Sequence, residues 1–178
     1  MAFMNVVSLP LHIDEIRFML NQNYFDILAL NETRLDQYYS DVYVQGYDIV
    51  RHDRNRSGGG VRIYVRKSIN FVTRSGLVPE NLEAVCIEVT RPNSRPFIVS
   101  SIYKPPSAPV EIFNSIERMI GQIDNDDRKM HILGDLNCNL LDQTSLDNDA
   151  KHLLRILEIY QLTKLITKPT PIITSGCM

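Results

Sequence analysis

An alternation between helix-like segments and short apolar runs constrains the fold more than any other feature of this sequence. Apolar residues recur every three or four positions in the helix-like segments, which span residues 12–22, 110–123 and 149–160. The strand-like runs span residues 26–30, 61–65, 82–90, 96–103 and 129–133, and in 61–65 Val61, Ile63 and Val65 alternate with Arg62 and Tyr64 at period two. A hairpin-type turn separates two of these runs. Hairpins among alternating helices and strands predict an α/β sandwich built on mixed sheets.

The length and composition fit one globular domain over residues 1–178. A domain takes roughly 100–200 residues, and the chain has 178. With 44% hydrophobic and 22% charged residues, the composition excludes a disordered tail, a collagen-like rod and a coiled coil. The formal net charge of -2 gives no overall attraction to nucleic acid, so such binding would need a local positive patch.

The cysteines predict a reducing compartment. Cys86, Cys138 and Cys177 are odd in number, widely spaced and without a C-x-x-C motif, which argues against a disulfide framework or a zinc site. The N-terminal residues have neither a basic region nor a long apolar segment, so we expect no signal peptide. No apolar run approaches the length that crosses a bilayer. We therefore expect an intracellular protein that does not bind a membrane.

Four polar side chains come where apolar runs end. Glu32 follows one run, Tyr103 closes another, and Asp135 and Asn137 follow a third. Ends of strands are where sites assemble in α/β folds. A carboxylate there could bind Mg²⁺, a second could accept a proton from water, and an amide and a phenol could contact a phosphate.

The same residues also have ordinary explanations. Asp135 and Asn137 are common turn formers, because their side chains hydrogen-bond the nearby backbone. Glu32 by itself fits a solvated loop carboxylate. Tyr103 by itself fits a half-buried aromatic residue of a strand. These alternatives stay open on the residue types alone.

Four motifs resemble those of a known family. Residues 28–35 (LALNETRL) are similar to its LALTETWL stretch, residues 58–65 (GGGVRIYV) to its GGGVAIYV strand, residues 102–106 (IYKPP) to its YRPP segment, and residues 134–137 (GDLN) to its GDFN motif. The family is the endonuclease/exonuclease/phosphatase superfamily, in the variety that non-LTR retrotransposons carry before a reverse transcriptase. The resemblance implies a four-layer α/β sandwich of two packed mixed β-sheets flanked by helices, as in DNase I.

The resemblance also implies a metal site. Glu32 matches the metal-binding glutamate of the family, and the expected cofactor is Mg²⁺, with Mn²⁺ as a second possibility. Asn5 resembles the asparagine of the first-strand NVRSL motif, which lies beside the metal. A plain polar residue near a chain end explains Asn5 equally well.

The implied catalytic residues follow by position. Tyr103 matches the active-site tyrosine, Asp135 the aspartate that activates water, and Asn137 its phosphate-orienting partner. Thr174 is assigned to a substrate-binding threonine near the late strands. The activity implied is metal-dependent nicking of a DNA phosphodiester, which would leave a 3′-hydroxyl for reverse transcription.

One family motif is absent. The family ends its catalytic set with an Asp-His pair, and none of the four histidines of this chain follows an aspartate. We therefore expect the sandwich to lack its last strands and the activity of this chain to be impaired. The alternative is a non-catalytic remnant of a retrotransposon endonuclease domain.

A basic cluster before, within and directly after the run at 61–65 could contact DNA. Its members are Arg51, Arg54, Arg56, Arg62, Arg66 and Lys67. Among them we assign Arg62 to substrate binding; the alternative for the cluster is a solvated face. The expected partner is DNA. The parent element is expected to carry a reverse transcriptase domain and to act in the nucleus. The oligomeric state stays open.

Overall fold

The computed structural model describes residues 1–36, 38, 42–141 and 145–168. These fall into two compact units, Met1–Asn137 and Cys138–Met178. Thr174 and Cys177 lie outside the described residues. No helix within the described ranges is both long and apolar enough to cross a membrane. The single domain expected over 1–178 stays a prediction.

The elements are named in chain order. The helices are α1 (Leu9–Asn21), α2 (Ile112–Asn125) and α3 (Asn148–Ile159). The strands are β1 (Ala2–Asn5), β2 (Ile27–Asn31), β3 (Tyr47–His52), β4 (Val61–Arg66), β5 (Asn70–Thr73), β6 (Ala84–Thr90), β7 (Phe97–Tyr103) and β8 (Lys129–Asp135). Helix α3 belongs to the second unit, where the Asp147 side chain caps it by accepting a hydrogen bond from the Ala150 N–H at 2.7 Å.

The strands of the first unit form two four-stranded sheets. Sheet one has the order β1-β2-β4-β3, with β1 parallel to β2 and the other pairs antiparallel. Sheet two has the order β5-β6-β7-β8, with β7 parallel to β8 and the other pairs antiparallel. Both sheets are therefore mixed, as the sequence predicts.

The core lies in layers on both sides of sheet one. Between the sheets, Val61, Ile63 and Val65 of β4 share an apolar cluster with residues of β6 such as Ile87. On the outer face of sheet one, α1 buries Leu9, Ile13, Ile16 and Leu20 against β2. These two apolar faces of one sheet account for the continuous burial along β2 and β4.

Helix α2 covers sheet two. It contacts β8 and buries one apolar stripe, formed by Ile112, Phe113, Ile116, Met119, Ile120 and Ile123. The arrangement α1, sheet one, sheet two, α2 is the predicted four-layer sandwich with a DNase I-like fold.

Three strands escape prediction from the sequence. Strand β1 has only four residues, and β5 is a mostly exposed edge strand of four residues. Strand β3 is an edge strand with three charged or imidazole side chains and little apolar alternation. Short or polar edge strands lack the periodic pattern on which the sequence argument depends.

Candidate active site

Four strand ends meet at one edge of the sandwich. Strands β1 and β2 are parallel and end side by side, and Asn5 is in register with Asn31, the residue before Glu32. Strands β7 and β8 are also parallel, with Tyr103 in register with Asp135 at their ends. The two sheets thus bring their carboxyl ends to one place, which is where the sequence places the site.

Asn5 connects the two predicted carboxylates. Its Nδ2 donates to Glu32 Oε1 and to Asp135 Oδ2, each at 3.0 Å. Its Oδ1 accepts from the Val7 backbone N–H at 3.2 Å, which fixes which end of the amide faces the carboxylates. The Asn5 side chain therefore lies between the two carboxylates, presents its nitrogen to them and orients both.

The second oxygen of Asp135 is held by Asn137. The backbone N–H of Asn137 donates to Asp135 Oδ1 at 3.0 Å, and its Nδ2 donates to the Lys104 carbonyl at 2.8 Å. A φ of 49° at Asn137 makes this close turn, in a region that asparagine tolerates better than most residues. The amide oxygen of Asn137 has no donor among the described residues and stays available to a ligand.

The backbone geometry at position 134 explains why the GDLN motif begins with glycine. Its φ is 135°, and a Cβ added there would overlap the carbonyl oxygen of Ile102 on the neighbouring strand. Glycine alone lets β7 and β8 approach closely at the point where they deliver Tyr103 and Asp135.

Tyr103 is a neutral hydrogen-bond donor. The residue is only 6% exposed, and its phenol lies beside the Glu32 carboxylate. Burial, then the negative charge of Glu32 and hydrogen bonding to it, raise the pKa of Tyr103 to about 12, and the charge of Arg54 opposes the rise. The phenol therefore keeps its proton at neutral pH and can donate to a phosphate oxygen.

This raised pKa gives an alkaline signature. The ordinary pKa of a tyrosine is 10.0, so the stability that Tyr103 contributes is complete below pH 10 and is lost as the pH rises through about 12. We expect Tyr103→Phe to remove one late-ionising phenol from an ultraviolet difference titration, with Tyr24→Phe giving the reference amplitude of one exposed phenol. A missing amplitude centred near pH 10 would contradict the assignment.

Asn31 is a site residue that the sequence argument misses. Its side chain is fully buried; Nδ2 donates to the Ile102 carbonyl at 2.7 Å, and Oδ1 accepts from the Ser101 hydroxyl at 3.0 Å. It thus ties the end of β2 to β7 directly behind Glu32 and Tyr103. Its one signal is an amide that closes an apolar strand, because a buried amide must find partners.

The glycine run, residues 58–60, packs against the backbone next to Glu32. The Gly59 and Gly60 carbonyls accept from the backbone N–H groups of Arg34 and Thr33, and the Gly60 N–H donates to the Glu83 carboxylate. Both glycines have positive φ angles, 71° and 92°. The run therefore lies along the segment that carries Glu32.

Arg34 gives Glu32 a third partner. Its Nη2 is 3.5 Å from Glu32 Oε2, and Glu32 itself has a φ of 55°. The Glu32 carboxylate, 19% exposed, thus receives hydrogen bonds from Asn5 and Arg34 and lies beside the Tyr103 phenol. These contacts fix the carboxylate before any ligand binds, at the cost of an unusual backbone conformation.

The basic cluster is largely neutralised by carboxylates. The ion pairs are Arg51 and Arg62 with Asp53, Arg54 with Glu83, Arg56 with Asp36, and Arg66 with Asp26. These five arginines therefore do not form a continuous positive surface. The result is closer to the alternative in which the cluster is a solvated face.

The assignment of Arg62 to substrate binding is wrong. Its side chain is 0% exposed, and its Nη2 pairs with Asp53 Oδ1 at 3.0 Å while Asp53 is itself 7% exposed. Strand β4 has a hydrogen-bonded neighbour on each side and is buried along almost its whole length. A guanidinium that solvent does not reach cannot contact DNA, so Arg62 is a buried ion-pair residue of the sheet.

The donor set fits a metal ion completed by substrate. Within the described residues no group of three acidic, histidine or cysteine side chains could hold an ion by itself. Glu32 and Asp135 nevertheless converge on one nitrogen. Mg²⁺ commonly binds through one or two carboxylates together with water and substrate phosphate, so Glu32 fits the role of ligand with Asp135 beside it.

Solved structures of other proteins share this fold. The endonuclease domain of TRAS1, a telomere-specific non-LTR retrotransposon, has a TM-score of 0.69 at 15% identity over 89% of this chain and 68% of that chain. The 3′-5′ exonuclease NExo of Neisseria meningitidis has a TM-score of 0.66 at 18% identity over 89% of this chain and 70% of that one. The Xenopus laevis APE2 catalytic domain has a TM-score of 0.63 at 13% identity over 86% and 66%.

At these identities the likeness shows the fold alone. Comparison with curated proteins gives no match. The sequence model of the Endonuclease/Exonuclease/phosphatase family, in contrast, matches residues 4–167. That range covers most of the chain and includes Asn5, Glu32, Tyr103, Asp135 and Asn137. The protein therefore belongs to the Endonuclease/Exonuclease/phosphatase family.

Proposed function

We propose that this chain is a metal-dependent phosphodiesterase that nicks DNA, of the kind found in non-LTR retroelements. Membership of the family supports nuclease or phosphoesterase chemistry. The observation that carries the proposal is the Asn5 amide nitrogen, which holds Glu32 and Asp135 together from two different sheets. Paired carboxylates beside a protonated phenol suit hydrolysis of an anionic ester.

The metal would be held by Glu32, next to Asn5 and Asp135. Mg²⁺ is the expected ion, with Mn²⁺ as a second possibility, since both prefer carboxylate oxygens. When bound, it supplies charge neutralisation and polarisation of a phosphate oxygen.

The side chains divide the remaining work. Asp135 accepts the proton of the attacking water, and its two oxygens are already oriented by Asn5 and by the Asn137 N–H. Tyr103 keeps its proton and donates to a phosphate oxygen as negative charge builds there. Asn137 has an open amide oxygen that orients the water.

DNA is the proposed substrate because of the retroelement motifs and the fold shared with the TRAS1 endonuclease domain. A nick with a 3′-hydroxyl would prime a reverse transcriptase carried by the parent element. Such a reaction takes place on chromosomal DNA, so the parent element would act in the nucleus.

Removal of divalent metal tests the proposal. We expect the chain to convert supercoiled plasmid to the nicked circle with Mg²⁺, and EDTA to stop the reaction. Adding Mg²⁺ in excess over EDTA should restore nicking, which separates chelation from damage to the protein. Nicking that continues at full rate in EDTA would contradict a metal-dependent mechanism.

A non-catalytic remnant is the second candidate. The 178 residues contain no Asp-His pair, and loss of one transition-state stabiliser typically lowers a rate about 10²–10³-fold. We therefore propose that this chain nicks slowly compared with domains that carry the pair. Absence of nicking at every Mg²⁺ concentration would favour the remnant.

A further inference from the structure

In the loop before β4, the guanidinium of Arg54 packs against the glycine run. Its Nε donates to the Gly58 carbonyl at 3.0 Å. A Cβ on Gly58 would come within 2.8 Å of Arg54 Nη2, and a Cβ on Gly59 within 2.7 Å of Arg54 Cζ. The absence of side chains at these two glycines is what lets the guanidinium occupy this position.

Glu83 fixes the guanidinium beside the active site. Its carboxylate, 11% exposed, pairs with Arg54 Nη1 at 3.3 Å and also accepts from the Gly60 N–H. The backbone carbonyl of Glu83 accepts from the Tyr103 N–H at 2.9 Å. A short chain of contacts therefore connects Arg54 to Tyr103, whose phenol is the proposed hydrogen-bond donor to the phosphate.

The fixed guanidinium still has donors to offer. Arginine carries five N–H bonds, and within the described residues Gly58 and Glu83 use two of those of Arg54. The side chain is 41% exposed. A held, partly exposed guanidinium with unused N–H bonds is well suited to bidentate binding of a phosphate.

We propose that Arg54 binds a backbone phosphate of the nucleic-acid substrate next to the scissile bond, with Gly58, Gly59 and Glu83 as its positioning residues. This inference rests on the proposed function, because it takes the substrate to be a nucleic acid. It replaces the predicted basic patch, and the contact of Arg62, by a single oriented arginine.

Binding measured without turnover tests the inference. A labelled DNA duplex is titrated with protein in EDTA at several salt concentrations, and the dissociation constant is taken from fluorescence anisotropy. We expect Arg54→Gln to weaken binding about tenfold and to lower the salt slope by about one. Arg54→Lys should keep the slope and recover part of the affinity. Arg56→Gln, in the same loop, is the matched control and should leave both nearly unchanged.

Gly58→Ala gives an independent probe, because it keeps the arginine in the sequence and changes only its position. Its added methyl would displace Arg54 Nη2, and Gly58 does not have a positive φ that would strain alanine. We expect an affinity between those of wild type and Arg54→Gln. Gly76→Ala is the control, since a Cβ there meets nothing within 4 Å. Thermal melts confirm that each variant is folded.

The outcomes separate the two proposals. An unchanged dissociation constant and salt slope in folded Arg54→Gln, or no DNA binding by the wild type, overturns the role of Arg54. Arg54-dependent binding with no metal-dependent nicking overturns catalysis and supports the phosphate contact.

Discussion

Asp135→Asn is expected to lower the rate of Mg²⁺-dependent plasmid nicking about 10²–10⁴-fold, the usual contribution of a positioned general base. Asparagine has nearly the same shape but keeps only one acceptor oxygen, so it can accept from Asn5 or from the Asn137 N–H but not from both. The substitution therefore removes the capacity to accept a proton at the cost of one hydrogen bond. Initial rates of nicked-circle formation at saturating Mg²⁺ measure the effect.

The matched control is Asp14→Asn. Asp14 lies on α1 with 92% of its side chain exposed, and its one partner among the described residues is Arg17 at 3.2 Å. An exposed pair of this kind contributes little, so the control should nick at the wild-type rate. An Asp135→Asn protein that also nicks within a few-fold of wild type would exclude Asp135 as the base.

Gly134→Ala is expected to have the largest effect on stability. The new Cβ would overlap the Ile102 carbonyl, and the φ of 135° is one that alanine strongly disfavours. Strands β7 and β8 would have to separate where they are hydrogen-bonded in register. We expect a loss of at least about 3 kcal/mol in the free energy of unfolding, or a drop of roughly 6–12 °C in Tm for a chain of this size.

Gly76→Ala is the comparison for this melt as well. Position 76 has open space and no positive φ, so alanine there should leave Tm the same or slightly higher. Circular dichroism melts of the three proteins under one condition give the result. A Gly134→Ala protein with the wild-type Tm would mean that β7 and β8 do not approach as closely as described.

The sequence predicts the parts of the molecule that local patterns determine. A strand buried on both faces, such as β2, appears as a continuous apolar run, and the polar residues at strand ends are visible at once. Glu32, Tyr103 and Asp135 could therefore be placed at strand ends from residue types. Their convergence followed from the family motifs, because residue types alone left ordinary alternatives open for all three.

The parts that the sequence does not predict depend on partners distant in the chain. Asn31 and Glu83 become site residues through contacts with β7 and with the glycine run, and no local pattern reveals those contacts. Arg62 fails for the same reason: its burial depends on the central place of β4 in sheet one and on Asp53. A run of charged residues in a sequence does not show which of its arginines are exposed to solvent and which are buried.

The Asn31 cross-link means that the active site also reports on assembly of the sandwich. Glu32 and Asn5 come from sheet one, Tyr103 and Asp135 from sheet two, and Asn31 joins the two sheets beside them. A partly folded species with both sheets formed but not yet docked would have native-like secondary structure and no complete constellation. Recovery of the proposed nicking activity during refolding would consequently follow sheet docking and would mark the last stage of folding.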